Sequence, residues 1–383
     1  MLNLTRRRTG LALFAAALSS GFSNAAAQDW LAQARTALAP GGPVEAAIDE
    51  LARADRFSGV ALAAIDGRPL LAKAWGAADR ENDEPNKLDT RFNIASVGKV
   101  FTAVGIGRLV EAGEIRLDDP LSRRLPDFPR EIGARITIEQ LLAHTSGLGS
   151  YFASPLWQER RDTIRSVSDF VEMVRGETLQ HEPGSAFSYS NSGYVLLGAV
   201  IERVTGMDYD TAMQRLVFEP AGMTHTGYPI FSENPDGVAI GYENGCFGRP
   251  PQQCTPSPWR DARPWWGARG SPAGGGVSTA RDLNAFVEAL KANRLLRAET
   301  FAQWRAERSR MDRPGGPIDA YGLGIGRLTI HDRRTWGHNG GTPGAQAQID
   351  VFENTPITLI VLSNQDGGQR PASTALRSAA APA

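Results

Sequence analysis

A serine and a lysine three residues apart stand at the start of an apolar, helix-like run that covers residues 92–110. Ser96 and Lys99 would share one face of that helix, because residues i and i+3 are neighbours on a helix surface. A serine hydroxyl becomes a nucleophile only when a base takes its proton. A lysine can be that base if burial and the helix N-terminus lower its pKa from about 10.4 toward neutrality. The spacing alone is also compatible with a capping serine and a solvated lysine.

A second pair of polar residues, Tyr189 and Asn191, stands directly before another helix-like run. If that turn faces the serine, Tyr189 would relay a proton and Asn191 would hold Lys99 or a substrate amide. Buried tyrosine and asparagine side chains need hydrogen-bond partners, so they commonly orient one another. The alternative is structural: Asn191 or Ser192 caps the helix, and Tyr189 packs against it.

A third stretch, Trp336–Gly344, runs from a predicted strand into several glycines. Glycines there would let the backbone approach a ligand closely. Backbone N–H groups of this stretch, with that of Ser96, would then form an oxyanion hole. His338 would point at the site as a polar or cationic group. The alternative is a glycine-rich hairpin with a surface histidine.

The elements that must position these residues fall into three blocks. Strand patterns begin at Phe57 and turn at Asp66-Gly67, a two-residue hairpin signal. Helical patterns fill the middle of the chain, including one that opens with a Thr137 capping box. Strand patterns return near the end, over 322–330, 335–337, 345–352 and 358–362. We therefore predict an α+β fold: an antiparallel sheet built from both chain ends and flanked by helices, with an inserted, mostly helical lobe. The sheet lobe would cover about 45–95 and 270–370, and the helical lobe about 96–245.

The first 27 residues have the pattern of a secretory signal peptide. Arginines precede a short apolar run over 11–18, and small residues follow up to Ala27. We expect cleavage after Ala27, a hydrolase domain over 28–383, and export to the periplasm or beyond by the general or the twin-arginine route. No later run is long and apolar enough for a stable membrane anchor.

Composition and charge exclude some partners. The net charge of −1 argues against nucleic acid, which requires a basic surface. Cys246 and Cys254 lie close together in a loop, where an oxidising compartment favours a disulfide; two unrelated thiols are the alternative. Two cysteines and five histidines without ligand spacing predict no metal site. No cofactor is expected, and the sequence leaves the oligomeric state open.

Three motifs occur in this order at wide spacing: Ser96-x-x-Lys99, Tyr189-Ser-Asn191 and His338-Asn-Gly340. Together they resemble the serine β-lactamase/penicillin-recognising family. The similarity is greatest to its class C-like branch, with D,D-carboxypeptidases, D-aminopeptidases and family VIII esterases. Other stretches that look like this branch are His144–Leu148, Tyr194–Gly198 and Gly275–Asp282. The resemblance extends from about Phe57 to Asn364.

The resemblance implies a β-lactamase/transpeptidase-like fold and a role for each matching residue. Ser96 would be the acylated nucleophile, and Lys99 would help to deprotonate it. Tyr189 would act as general base and later as the acid for the leaving group. Asn191 would hydrogen-bond Lys99 or the substrate. The backbone of Ser96 and of Gly341 would form the oxyanion hole, with Gly340 and His338 also at the substrate.

One departure bears on the substrate. The lactamases of this family usually carry Lys-Thr-Gly where this chain has His338-Asn-Gly340. A histidine is mostly neutral near pH 7 and holds a β-lactam carboxylate less firmly than a lysine. The leading hypothesis is therefore an exported serine hydrolase that acts on esters or amides, of the esterase or D-amino-acid peptidase type. The alternatives are a true β-lactamase and a non-catalytic peptidoglycan- or penicillin-binding regulator.

A long Gly-, Pro- and Trp-rich loop covers about 245–276. Long loops within compact domains are commonly functional. Trp265, Trp266 and the cysteine pair would form a rim that selects a small-molecule ester, peptide or β-lactam substrate. A packed surface loop held by a disulfide is the alternative.

Overall fold

The computed structural model describes residues 24–249, 253–311 and 318–381, with side chains from Trp30 onward. The helices are α1 (Asn24–Ala37), α2 (Pro43–Arg53), α3 (Gly98–Glu111), α4 (Leu121–Arg124), α5 (Arg130–Gly133), α6 (Ile138–Leu142), α7 (Pro155–Arg160), α8 (Val167–Val174), α9 (Asn191–Thr205), α10 (Tyr209–Met213), α11 (Glu219–Ala221), α12 (Ala280–Lys291), α13 (Ala298–Arg305) and α14 (Gln369–Ala380). The strands are β1 (Gly59–Ile65), β2 (Arg68–Trp75), β3 (Ala77–Asp79), β4 (Glu84–Pro85), β5 (Phe92–Asn93), β6 (Tyr242–Glu243), β7 (Arg260–Asp261), β8 (Val277–Ser278), β9 (Ser309–Arg310), β10 (Ala320–Tyr321), β11 (Gly326–Ile330), β12 (Arg333–Thr342), β13 (Ala345–Phe352) and β14 (Ile357–Ser363).

The main sheet joins the two ends of the chain. In the described part its eight strands follow the order β2-β1-β14-β13-β12-β11-β10-β9, and its neighbouring strands are antiparallel. The β1–β2 hairpin turns at Asp66 and Gly67, both with positive φ, as a tight two-residue turn requires. The predicted fold class, an antiparallel sheet flanked by helices with a helical segment between its strands, is confirmed.

Each face of the sheet supports its own hydrophobic core. Successive side chains of a strand point to opposite faces. In β1, Val60 and Leu62 face the core shared with the helical middle of the chain. Ala61 and Ala63 face a second core formed with α1, α2 and α14. The all-apolar sequence of β1 is therefore the pattern of a central strand that is covered on both faces.

The helical middle packs around α9, which contacts α3, α6, α8 and α10. The predicted capping box is present: Thr137 accepts from the backbone of Gln140, whose side chain accepts from Thr137 N–H. α3 is buried over most of its length. A polar side chain at the start of α3 is therefore held inside the protein.

Some elements differ from their predicted bounds. β12 continues through the glycines to Thr342, because its ladder with β13 persists from Thr335 to Thr342. α13 and α14 were not predicted; α14 is rich in Ala, Ser and Arg and packs against the sheet with α2.

Residues 1–23 of the expected signal peptide lie outside the described residues, and its expected cleavage point at Ala27 falls within α1. None of the described helices is long and apolar enough to cross a bilayer.

Candidate active site

Ser96 lies in the 3-10 turn Ala95–Val97, between β5 and α3. The preceding residue, Ala95, has a φ of 44°, a left-handed conformation that costs energy for a residue with a Cβ atom. Its N–H donates to Asn93 Oδ1 at 2.9 Å, and its carbonyl accepts from Gly275 N–H at 3.1 Å. Contacts on both sides thus hold the turn that presents Ser96, which is only partly buried.

Lys99 is fully buried at the start of α3, and its Nζ atom has three partners. These are Ser96 Oγ at 3.1 Å, Asn191 Oδ1 at 2.7 Å and the Ala273 carbonyl oxygen at 2.5 Å. Burial lowers the pKa of Lys99 well below its usual 10.5. No carboxylate pairs with it among the described residues. The amine therefore loses its proton far more easily than an exposed lysine.

The segment that supplies the Ala273 carbonyl belongs to the Gly-rich end of the long loop. Gly274 has a φ of 138°, and a Cβ atom there would overlap the carbonyl of Ala95. Glycine is therefore required where this segment crosses the turn that carries Ser96. The run of three glycines at 274–276 was the sequence signal for this close approach.

Asn191 is the first residue of α9, but it is not the helix cap. Ser190 caps the helix, with its Oγ accepting from Gly193 N–H at 2.8 Å. The Asn191 side chain is thus available to the site: its Oδ1 accepts from Lys99 and its Nδ2 donates to Ser150 Oγ at 3.0 Å. Ser150 was not singled out from the sequence.

Tyr189 lines the same cavity as Ser96, with its ring centroid 4.8 Å from Lys99 Nζ. The residue is 36% exposed, yet its phenol group is desolvated. This desolvation raises the pKa of Tyr189 above its usual 10, and the neighbouring Ser96 hydroxyl offsets only part of the rise. At neutral pH Tyr189 is therefore a neutral phenol, able to donate a proton.

His144 is a buried residue of the site that the sequence reasoning did not identify as functional. Its Nδ1 accepts from the backbone N–H of Ser190 at 3.0 Å, and its ring lies 4.3 Å from that of Tyr189. Burial, then the nearby Lys99, lowers the pKa of His144 well below 6.5. The neutral imidazole of His144 thus holds the backbone of Ser190, the residue that separates Tyr189 from Asn191. The only sequence signal was the position of His144 in a family-like stretch.

β12 passes close to the Ser96 turn. Its pairing with β11 ends at Gly337, so in the described part of the chain the segment from His338 to Thr342 has no strand partner on that side. A Cβ atom on Gly340 would overlap the carbonyl of Ile94. Gly341 follows and lines the cavity beside Ser96. The structure thus brings this end of β12 to the site, as the sequence predicted.

The His338 side chain is buried against Tyr321 and is not part of the cavity wall. It is 2% exposed, its Nε2 is 2.7 Å from the Tyr321 hydroxyl, and it does not line the cavity. Burial, then the nearby Lys99, lowers the pKa of His338 to about 3. His338 is therefore a neutral, buried polar residue, and its burial disfavours the cationic form. Alternation along β12 puts His338 on the same face as Gly340, the face toward the Ser96 turn, and its contact with a substrate stays a prediction.

The cavity in front of Ser96 measures about 430 Å³, a typical size for a small-molecule site. Its walls are contributed by several separate segments, including the loop closed by a disulfide between Cys246 and Cys254. Trp265 and Trp266 both line it, as the sequence predicted. A larger cleft of about 720 Å³ lies between α12, α13 and β13, and Ser96 does not line it.

Comparison with known proteins gives the same family. A family model described as Beta-lactamase matches residues 44–382. A penicillin-binding protein of Bacillus subtilis is 31% identical, over 83% of this chain and 70% of its own length. Esterase EstB of Burkholderia gladioli is 30% identical, over 88% of this chain and 94% of its own.

Solved structures agree with the sequence comparison. A penicillin-binding protein from Bacillus halodurans superimposes with a TM-score of 0.75 at 28% identity, covering 86% of this chain and 98% of that one. The D-amino acid amidase from Ochrobactrum anthropi SV3, complexed with L-phenylalanine amide, gives 0.72 at 27% identity, covering 88% and 97%. The chain belongs to the β-lactamase family and is a serine hydrolase of its β-lactamase/D,D-peptidase-like type.

Proposed function

We propose that the protein is an exported hydrolase that cleaves esters or amides through an acyl-enzyme on Ser96. The observation that carries this proposal is the set of partners around the Lys99 amine. A neutral amine has two N–H donors and one lone pair. Asn191 Oδ1 and the Ala273 carbonyl can only accept, so they take both donors. The lone pair is left for the remaining partner, the Ser96 hydroxyl.

This arrangement supports Lys99 as the acceptor of the first proton. The Ser96 Oγ–H proton passes to Lys99 Nζ as Oγ bonds to the scissile carbonyl carbon. The carbonyl oxygen gains the negative charge, and backbone N–H groups of Ser96 and Gly341 would stabilise it. The depressed pKa of Lys99 supports its role as the base, because burial makes the neutral form available at a lower pH than in an exposed lysine.

Tyr189 is proposed as the acid of the second step. Its raised pKa keeps the phenol protonated, so it can give its proton to the leaving oxygen or nitrogen as the carbonyl–leaving-atom bond breaks. The ammonium of Lys99, beneath the tyrosine ring, returns a proton to Tyr189. Water then repeats the sequence as nucleophile, breaks the acyl ester and restores Ser96.

Two observations favour an ester or amide over a β-lactam. The proposed activity matches the printed names of two relatives, an esterase and a D-amino acid amidase. In addition, the residue at the lactamase lysine position is the buried, neutral His338. We therefore expect slow nitrocefin hydrolysis and faster hydrolysis of short esters or D-amino-acid amides.

The direct test is a substrate panel with the purified protein. It includes p-nitrophenyl butyrate, D-alanine p-nitroanilide and nitrocefin. We expect turnover of an ester or amide that Ser96→Ala abolishes and that Ser185→Ala, a surface control, retains. Nitrocefin as the fastest substrate would select the β-lactamase alternative. Turnover of none of them, with no acylation by broad probes, would select the non-catalytic one.

Export is a separate part of the proposal. It is supported by the signal-like pattern over 1–27 and by the Cys246–Cys254 disulfide, since disulfides persist in oxidising compartments. We expect the protein recovered from outside the cytoplasm to begin at Gln28. Recovery of the full chain from the cytoplasm alone would reject export.

A further inference from the structure

The large hydrophobic side chains that are exposed in the described residues gather at one place. They are Phe152, Tyr189, Phe247 and Trp265, and all four line the cavity in front of Ser96. Exposed apolar groups scattered singly carry no meaning, but a contiguous patch marks a binding surface. Phe152, Phe247 and Trp265 are 47%, 38% and 52% exposed; we call these three side chains the aromatic collar.

The collar rings come from two parts of the chain, the turn Tyr151–Ala153 and the long loop over 245–276, and the ring of Phe152 is supported from behind. Phe152 packs on Tyr151 and Trp157, with ring centroids 4.4 and 4.9 Å apart. Phe247 lies in the disulfide loop, and its ring would be 3.4 Å from a Cβ atom on Gly341. The ring thus lies beside the residue proposed to hold the substrate carbonyl. Supported rings lose little conformational entropy when they bind an apolar group.

Among the residues that the structure describes, the cavity offers no free cation to a substrate carboxylate. Arg269 is the one charged residue among its lining residues in the described chain, and both Asp210 oxygens accept from it at 2.6 Å. Arg161 lies against Trp265, 5.7 Å from the ring centroid, but is not a lining residue. A carboxylate brought into this cavity would lose hydration without gaining an ion pair.

We infer that the site selects uncharged esters or amides that carry an aromatic group next to the scissile bond, and discriminates against those with a carboxylate there. The inference rests on the proposed function and adds the substrate class. The aromatic group can belong to the acyl part or to the leaving group. Either position would bring an aromatic ring to the collar, so the experiment tests the acyl part and the leaving group separately.

The test compares kcat/KM for matched esters. Ethyl phenylacetate against ethyl acetate examines the acyl side, and benzyl acetate against ethyl acetate examines the leaving group. Monoethyl succinate against ethyl butyrate examines charge. We expect an aromatic preference of about tenfold or more in at least one series, since apolar pockets discriminate by 10- to 200-fold. The carboxylate ester should be slower by about tenfold or more.

Variants show whether the collar is responsible. Trp265→Ala or Phe247→Ala should reduce the aromatic preference to about threefold or less, because the aromatic ester loses more of its kcat/KM than ethyl acetate does. Trp259→Phe is the matched control, because Trp259 belongs to the same loop but bonds Asp55 and does not line the cavity. Turnover of all esters without aromatic preference, a faster carboxylate ester, or a preference that survives both alanine variants would overturn the inference.

A binding measurement separates this inference from the proposed function. Calorimetric titration of Ser96→Ala with phenylacetamide and with acetamide compares the affinities of the two amides in the absence of turnover. The difference reports the contribution of the collar to binding. Tighter binding of phenylacetamide, lost in Ser96→Ala/Trp265→Ala, supports the collar even if the wild-type protein cleaves no ester. Equal binding of the two amides contradicts it even if Ser96 is acylated.

Discussion

Lys99 Nζ donates a 2.7 Å hydrogen bond to Asn191 Oδ1 inside the protein. This contact joins the first turn of α3 to the first turn of α9. The acceptor is a neutral amide, so it orients the amine without favouring its protonation as a carboxylate would. The hydrogen bond from Lys99 to Asn191 therefore fixes the position of the amine without stabilising its protonated form.

Asn191→Asp should shift the pH dependence of activity. A carboxylate at this distance favours the ammonium form and raises the pKa of Lys99, by about 1–3 units for close opposite charges. Because the base works only above its pKa, the acid limb of the kcat/KM profile should move to higher pH. Asn191→Ala, which adds no charge, should lower the rate without that displacement. An unmoved limb in Asn191→Asp would exclude Lys99 as the titrating base.

Lys99→Met should change how stability depends on pH. The pKa of Lys99 is lowered in the folded state, so between that pKa and 10.5 the unfolded chain binds more protons. Wild-type stability therefore rises with pH through this window, and the variant lacks this contribution. The difference in Tm, variant minus wild type, should become smaller or more negative from pH 6.5 to 9.5. A difference that grows with pH would contradict a buried, neutral lysine.

Two substitutions at His144 should separate its hydrogen bond from its bulk. His144→Leu removes the acceptor for Ser190 N–H, and we expect kcat to fall by about tenfold or more as Tyr189 and Asn191 lose their fixed positions. His144→Asn keeps a short acceptor and tolerates the φ of 57° at this position. It should recover part of kcat at equal folded fraction, which circular dichroism can verify. Equal loss in both variants would assign His144 to packing alone.

Gly340→Ala should inactivate the enzyme through geometry. The added methyl group would overlap the backbone carbonyl of Ile94 and force β12 away from the Ser96 turn. A misplacement of about 1 Å can cost about 100-fold in rate. Gly176→Ala, where no atom lies within 4 Å of the added group, is the control. Full activity of Gly340→Ala would mean that β12 does not support the site.

Local patterns predicted the parts of this fold that local forces determine. The i, i+3 spacing placed Ser96 and Lys99 on one face, and the capping box at Thr137 set a helix start. The strand patterns at both chain ends, separated by turn residues, predicted the sheet. These features need only neighbouring residues and the period of the element.

The missed features depend on distant segments. The glycines near Gly340 looked like a turn, yet they belong to β12 because the ladder with β13 continues past them. His338 looked available because burial by Tyr321 is visible only in three dimensions. His144 gains its role only when the chain before α9 returns to it. Such contacts are long-range, and a linear pattern does not encode them.

Identifying the acylated residue is the sharpest test of Ser96 as the nucleophile. The protein is incubated with a fluorophosphonate probe, digested with trypsin and analysed by tandem mass spectrometry. We predict one adduct, on Ser96 in the peptide 92–99. It should be absent in Ser96→Ala and form about 100-fold or more slowly in Lys99→Met. An adduct on another residue, or labelling of Ser96→Ala at the wild-type rate, would contradict this prediction.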